Sequence, residues 1–251
     1  MSADSGRNAM TQHELAKRLR ISYQLMCNLE ANRRKFRREH VEALDELWDA
    51  KGHFVRLWIH SQREHDREWF RKYAAFEHRS REIKIWQATL IPGLFQTADY
   101  ARSLVVAART PNVEDVVEIR MRRQDILTRE DPPLVYALID EKVLRQPAPG
   151  VEAMRDQLRR LLEIASLPNV IVQIVPMTSL AHTGLDGGFI LLDQGGDDGQ
   201  IAFTEAQLSG RLVRDEEEVR ALTVRYDLVR AKALSEDDSL RLIATIMESM
   251  R

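Results

Sequence analysis

Residues 10–34 read MTQHELAKRLRISYQLMCNLEANRR, and this stretch decides how the N-terminal part of the chain folds. Thr11 has the side chain of a helix N-cap, and Leu15, Ala16 and Leu19 then fall on one face of a short helix to about Arg20. Ser22 caps a second helix running to about Ala31, with Met26 and Leu29 facing inward. Two short helices that cross at close range need a small residue where they touch, and Ala16 occupies that place. Leu15, Leu19, Ile21, Met26 and Leu29 bury the inner faces. Tyr23, Gln24 and Asn28 are left on one exposed stripe of the second helix. A helix of this size fits the major groove of a DNA duplex, where amide side chains pair with the adenine edge.

Working outward, a third helix is expected over about Arg38 to Ala50, with Val41, Leu44, Leu47 and Trp48 at helical spacing and Gly52 ending it. Residues 1–52 therefore form an all-helical module. Residues 53–81 are rich in charges and aromatics at helical spacing and lack the Ser, Gly and Pro of a flexible linker, so they read as a helical connector. Residues 82–251 change texture. Strands are expected at EIKIW from Glu82, at 134–140, 170–176, 188–193 and 200–205; helices are expected at 97–108, 112–128, 151–167, 216–234 and 235–250. The expected fold class is α+β: a helical helix-turn-helix module followed by a larger mixed α/β domain.

Composition narrows the function classes. The chain has 251 residues, 44% hydrophobic and 30% charged, as soluble two-domain proteins do. No apolar run approaches the roughly 20 residues needed to cross a bilayer, and the first ten residues do not resemble a secretory signal. The single cysteine, Cys27, excludes an internal disulfide, so a reducing, cytoplasmic setting is expected. The net charge is −2, yet residues 12–38 hold eight basic side chains (Lys17, Arg18, Arg20, Arg33, Arg34, Lys35, Arg37 and Arg38) against Glu14 and Glu30. A cationic module on an otherwise acidic chain is the electrostatic footprint of nucleic-acid binding.

The run TQHELAKRL, the Ser-capped second helix and the Leu-Glu pair before the basic loop resemble the phage-repressor (XRE, Cro/C1-type) helix-turn-helix family. The resemblance implies that Gln12 touches phosphate, that Ser22 opens the recognition helix, that Tyr23, Gln24, Cys27 and Asn28 approach base edges, and that Arg33, Arg34 and Lys35 lie beside the phosphates. It also implies a homodimer on paired half-sites of double-stranded DNA. The chain departs from the family at the turn, where Arg20 replaces a usual Gly, and in the following loop, where Asn32 does. The family's helix ahead of the Thr-Gln motif has no counterpart in the ten polar residues that precede it here. Farther on, WQATLIPGLFQTADYAR (86–102), MRRQDILTREDPP (121–133), LIDEKVLRQP (138–147), MRDQLRRLLEIASLPNVIVQIVP (154–176) and HTGLDGGFILLD (182–193) resemble domain of unknown function 5753, found behind such modules in actinobacterial regulators. That resemblance implies antitoxin-like behaviour or control of gene expression beside a small partner protein encoded nearby.

Chemistry-bearing groups in the larger domain are few. Asp140 and Glu141 follow a strand end, but adjacent strand residues point to opposite faces and would not pair as acid and base. His182 and Asp186 share a loop whose Gly184, Gly187 and Gly188 fit neither a P-loop nor a dinucleotide fingerprint. No HExxH, GxSxG or Cys–His pattern occurs. A binding protein is expected, without an enzymatic activity, a metal or a cofactor. The alternative expectation is a protein-interaction module whose DNA binding has degenerated. LIPGLFQT (90–97) is expected to make a core corner or an exposed docking lip, the corner being favoured. The DEEE run (215–218) suits the first turn of a helix.

Overall fold

The structure, a computed structural model, describes residues 10–31, 34, 36–64, 67–196, 199–205 and 210–250, with the side chains of 59–72 excepted. The chain divides into two compact units, Met1–Asp66 and Arg67–Arg251. The stretch 53–81, read as one connector, is shared between them: α4 (His53–Glu64) belongs to the first unit and α5 (Arg67–Arg79) to the second.

The first unit contains α1 (Gln12–Arg18), α2 (Tyr23–Glu30), α3 (Arg38–Leu47) and α4. Its core is built from Ala16, Leu19, Met26, Val41 and Leu44, with Phe36, Phe54 and Trp58 packed against them. The third helix stops at Leu47, earlier than its apolar spacing suggests, because Asp49 turns to φ +45° and Ala50 N–H closes back on Asp45 O at 2.9 Å. Gly52 then opens α4 instead of ending α3. The buried Asp45 carboxylate accepts the Phe54 and Val55 amides at 2.9 and 2.8 Å, satisfying orphan donors of the α4 N-terminus.

The second unit is a six-stranded mixed sheet in the order β3-β2-β1-β4-β5-β6. Its strands are β1 (Glu82–Gln87), β2 (Leu134–Asp140), β3 (Val170–Val175), β4 (Phe189–Asp193), β5 (Gln200–Thr204) and β6 (Arg211–Val213). The first three run parallel, joined through α6 (Ala98–Ala107) and α7 (Val113–Arg122), then through α8 (Glu141–Arg145) and α9 (Val151–Ala165). Strands β4 to β6 return antiparallel on the other side of β1. One sheet face presents Ile83, Ile85, Ala137, Val172 and Leu192 to a core shared with α9 and α11 (Glu236–Ser249); the other presents Trp86, Leu138 and Leu191 to α10 (Glu216–Arg230). β6 is too short, at three residues, to show a period of two in sequence.

LIPGLFQT is a core corner. Ile91, Leu94 and Phe95 are buried, and the fully buried Gln157 of α9 ties the loop down by donating to Phe95 O and accepting from Thr97 N, both at 2.7 Å. Asp215 caps α10 by accepting Glu218 N at 3.0 Å, so Glu216, Glu217 and Glu218 lie in the first turn, where carboxylates complement the helix dipole.

Candidate nucleic-acid interface

The first helix begins with a reciprocal capping box: Glu14 N donates to Thr11 Oγ1 at 3.3 Å and Thr11 N donates to the Glu14 carboxylate at 2.9 Å. It ends in a Schellman-type turn, with Ile21 N bonded to Ala16 O at 3.0 Å and Arg20 N to Lys17 O at 3.3 Å. Arg20 sits in the left-handed region at φ +55°. The turn therefore keeps a backbone conformation suited to glycine and imposes it on a β-carbon-bearing residue. Arg20→Gly should stabilise the first unit by about 1 kcal/mol, seen as slower hydrogen exchange at the buried Leu19 and Met26 amides. Faster exchange would show that the arginine side chain itself holds the turn.

Ser22 Oγ accepts Leu25 N at 3.2 Å and starts α2 immediately after this turn. Met26 and Leu29 lock the helix inward, while Tyr23, half-exposed at 50%, and the exposed Gln24 stand on its outer first turn. Cys27 and Asn28 are partly buried. Asn28 also fixes the chain beyond the helix, its carbonyl accepting Arg34 N at 3.1 Å. Gln12, from the start of α1, reaches across to α2. Its Oε1 accepts from the Tyr23 hydroxyl at 3.3 Å and from Cys27 Sγ at 3.7 Å, and its Nε2 donates to the Glu30 carboxylate. His13 lies 5.6 Å from the Tyr23 ring. The Tyr23 phenol is held above its ordinary range, first by the neighbouring Cys27, then by desolvation and the charge of Glu30, so it is a neutral donor.

Six of the nine residues singled out from sequence are thus gathered at the α1–α2 surface: Gln12, Ser22, Tyr23, Gln24, Cys27 and Asn28. Arg34 is exposed just beyond it. Arg33 and Lys35, and with them Asn32, lie outside the described residues. Lys17, Arg18 and Arg20 are exposed on the α1 side, whereas Arg37 and Arg38 face Glu39 and Glu42 at 3.6 and 2.8 Å. Sequence reasoning did not anticipate Glu30. A carboxylate bonded to Gln12 is a tertiary contact between residues 18 apart, and no local spacing announces it.

The polar candidates of the second unit have structural partners. Asp140 caps α8 through Lys142 N at 3.0 Å and bridges Lys142 Nζ at 3.2 Å. Glu141 opens that helix rather than extending the strand. Its buried carboxylate accepts Arg145 Nε at 2.7 Å and Met177 N at 2.9 Å. His182 accepts Gly184 N at 3.1 Å, and Asp186 pairs with Arg225 at 2.6 Å. Gly184 lets Trp86 donate to its carbonyl at 2.9 Å; a β-carbon there would lie 2.6 Å from the indole. Among the described residues, no group of three or more His, Cys, Asp or Glu side chains is placed to hold a metal ion.

The family model for a domain of unknown function, DUF5753, matches residues 70–245. The chain belongs to the DUF5753 family. The match covers most of α5, the whole sheet and most of α11, and it begins after the α1–α2 surface, on which it is silent. No curated protein and no solved structure matches the chain. DUF5753 membership assigns the second unit to a family without assigning it an activity. Among the described residues, no helix is long and apolar enough to cross a membrane.

Proposed function

We propose that this chain is a sequence-specific DNA-binding transcriptional regulator, in which α2 is the recognition helix and the DUF5753 unit binds a partner protein or effector. The observation that carries the reading is the exposed first turn of α2, with Tyr23 and Gln24 outward on a helix fixed from behind by Ala16, Met26 and Leu29. A recognition helix meets the major groove with its N-terminal residues, and exposed Lys17, Arg18, Arg20 and Arg34 supply charge for the flanking phosphates. In this reading the protein acts as a cytoplasmic homodimer on paired half-sites. An antitoxin-like role beside a small partner protein is its extension to the second unit. One contact favours the alternative of an interaction module with degenerate DNA binding: Gln12, the expected phosphate ligand, is engaged by Tyr23, Cys27 and Glu30. On DNA, Gln12 has to exchange its bond to Glu30 for one to phosphate.

Selection from a random duplex library with the purified full chain decides between them. The regulator enriches one motif, arranged as two half-sites about one helical turn (roughly 34–36 Å) or a multiple of it apart. Replacing Arg33 and Arg34 by Gln should then weaken binding to every sequence alike and flatten the salt dependence by about 0.9 in log–log slope for each phosphate that is no longer neutralised. A library that stays unenriched, with the chain still folded, rejects the regulator reading.

A further inference from the structure

The second unit holds a cavity of about 680 Å³ between α5, the turn after β4 and the start of α10. Three arginines from separate parts of the chain line it: Arg79 at the end of α5, whose Nε donates to Ala75 O at 3.3 Å, Arg214 between β6 and α10, and Arg220 within α10. Two of them are placed by one ring, since Arg79 and Arg214 lie 5.1 and 4.9 Å from the centroid of Phe76. Among the described residues none of the three is in an ion pair, although neighbouring arginines are neutralised (Arg211 by Glu218, Arg225 by Asp186). Gln200 lines the same wall, its side-chain amide 2.9 Å from Thr223 Oγ1, and contributes a neutral N–H donor there. Among the described lining residues the three arginines outnumber the one carboxylate, Glu216.

Like charges gathered without carboxylate partners repel one another, and an anion relieves that repulsion. A guanidinium binds carboxylate and phosphate oxygens through paired N–H donors. The volume lies within the roughly 300–1,000 Å³ of small-molecule sites. We propose that this cavity is a binding site for a small multivalent oxyanion, a phosphate ester or a polycarboxylate, held by Arg79, Arg214 and Arg220 with Gln200 as a neutral donor. The proposal goes beyond the DNA-binding reading and does not depend on it.

The test is calorimetric titration of pyrophosphate and, separately, citrate into the full chain at low ionic strength. Saturable one-site binding is expected for at least one of them, and the tighter of the two tells a phosphate ligand from a polycarboxylate. Arg214→Gln and Arg220→Gln should each weaken it by roughly tenfold or more, the loss expected when a charge-assisted hydrogen bond is removed. Glu216→Gln should tighten it, because a repelling carboxylate is gone. All three positions are exposed, so the variants should retain the parent's melting temperature without anion, which separates lost binding from lost folding. Failure of both anions to saturate, or unchanged affinity in both arginine variants, overturns the proposal. So does arginine-dependent binding of an oligoglutamate peptide when neither small anion binds, since that outcome marks a protein-docking surface.

Discussion

Arg123→Met should destabilise the second unit by about 3–5 kcal/mol, the loss expected when one partner of a buried ion pair is removed. Arg123 holds Glu77 through two parallel bonds of 2.8 Å, and the Glu77 side chain is only 2% exposed. Tyr73 donates to the same carboxylate at 2.6 Å, and the Arg123 guanidinium lies 5.2 Å from the Tyr73 ring centroid. Burial disfavours the Arg123 charge, but Glu77 and Tyr73 outweigh it and hold the guanidinium above its ordinary value. Burial and the Glu77 charge likewise push the Tyr73 phenol well up, so it stays a donor. The cluster ties α5 to the 3-10 turn that follows α7, and thereby fixes the helix that opens the family match to the body of the sheet. Removing the cation strands a buried carboxylate, which costs far more than the pair is worth against an apolar substitute. Denaturant unfolding measures the loss, and adding Glu77→Leu to Arg123→Met should restore most of it. A single variant within about 1 kcal/mol of the parent would show that the pair is solvated and structurally idle.

Gln24→Ala and Asn28→Ala should each cost about 1–3 kcal/mol of discrimination between the selected motif and a changed base, while nonspecific binding stays nearly constant. Gln24 stands fully outside the first unit's core, and Asn28 is one helical turn further along α2 on the same side. Alanine favours helix at both positions, so neither variant should lose α2. The contrast with Arg33 and Arg34 is the informative part. Base-reading amides change which sequence is bound, whereas phosphate-facing cations change how tightly any sequence is bound. Parallel binding isotherms on specific and scrambled duplexes provide the measurement. Equal losses on both duplexes from the amide changes would remove α2 from the recognition role.

Much of the fold was legible in sequence because its signals are local. The strands at Glu82, Leu134, Val170, Phe189 and Gln200 carry β-branched or alternating apolar runs, and Thr11, Ser22, Asp215 and Ser235 cap helices through side chains three residues from the amides they accept. What misled was equally specific. Glu141 follows the strand end with no helix expected after it, yet Asp140 turns its carboxylate onto Lys142 N and starts one. The end of α3 was displaced because Asp49 accepts a positive φ that composition assigns more readily to Gly52. The candidate interface was legible up to the identities and faces of its residues, and its internal wiring was not. The bond from Gln12 to Glu30 crosses between two helices, and no periodicity encodes a contact of that kind.

By itself, the sequence determined most of the helix and strand segments, which faces are apolar, and that positive charge concentrates within residues 12–38, since each depends on neighbours along the chain. The tertiary structure decided which polar groups are used up and which remain available. It sets Glu77 against Arg123, gives Asp140 and Glu141 to a helix start, and leaves Arg79, Arg214 and Arg220 around one cavity. The reason is physical: a charge or hydrogen-bonding group acts on what lies within a few ångströms, and groups as far apart in the chain as Arg79 and Arg220 come to line the same space only once the sheet and its helices are assembled.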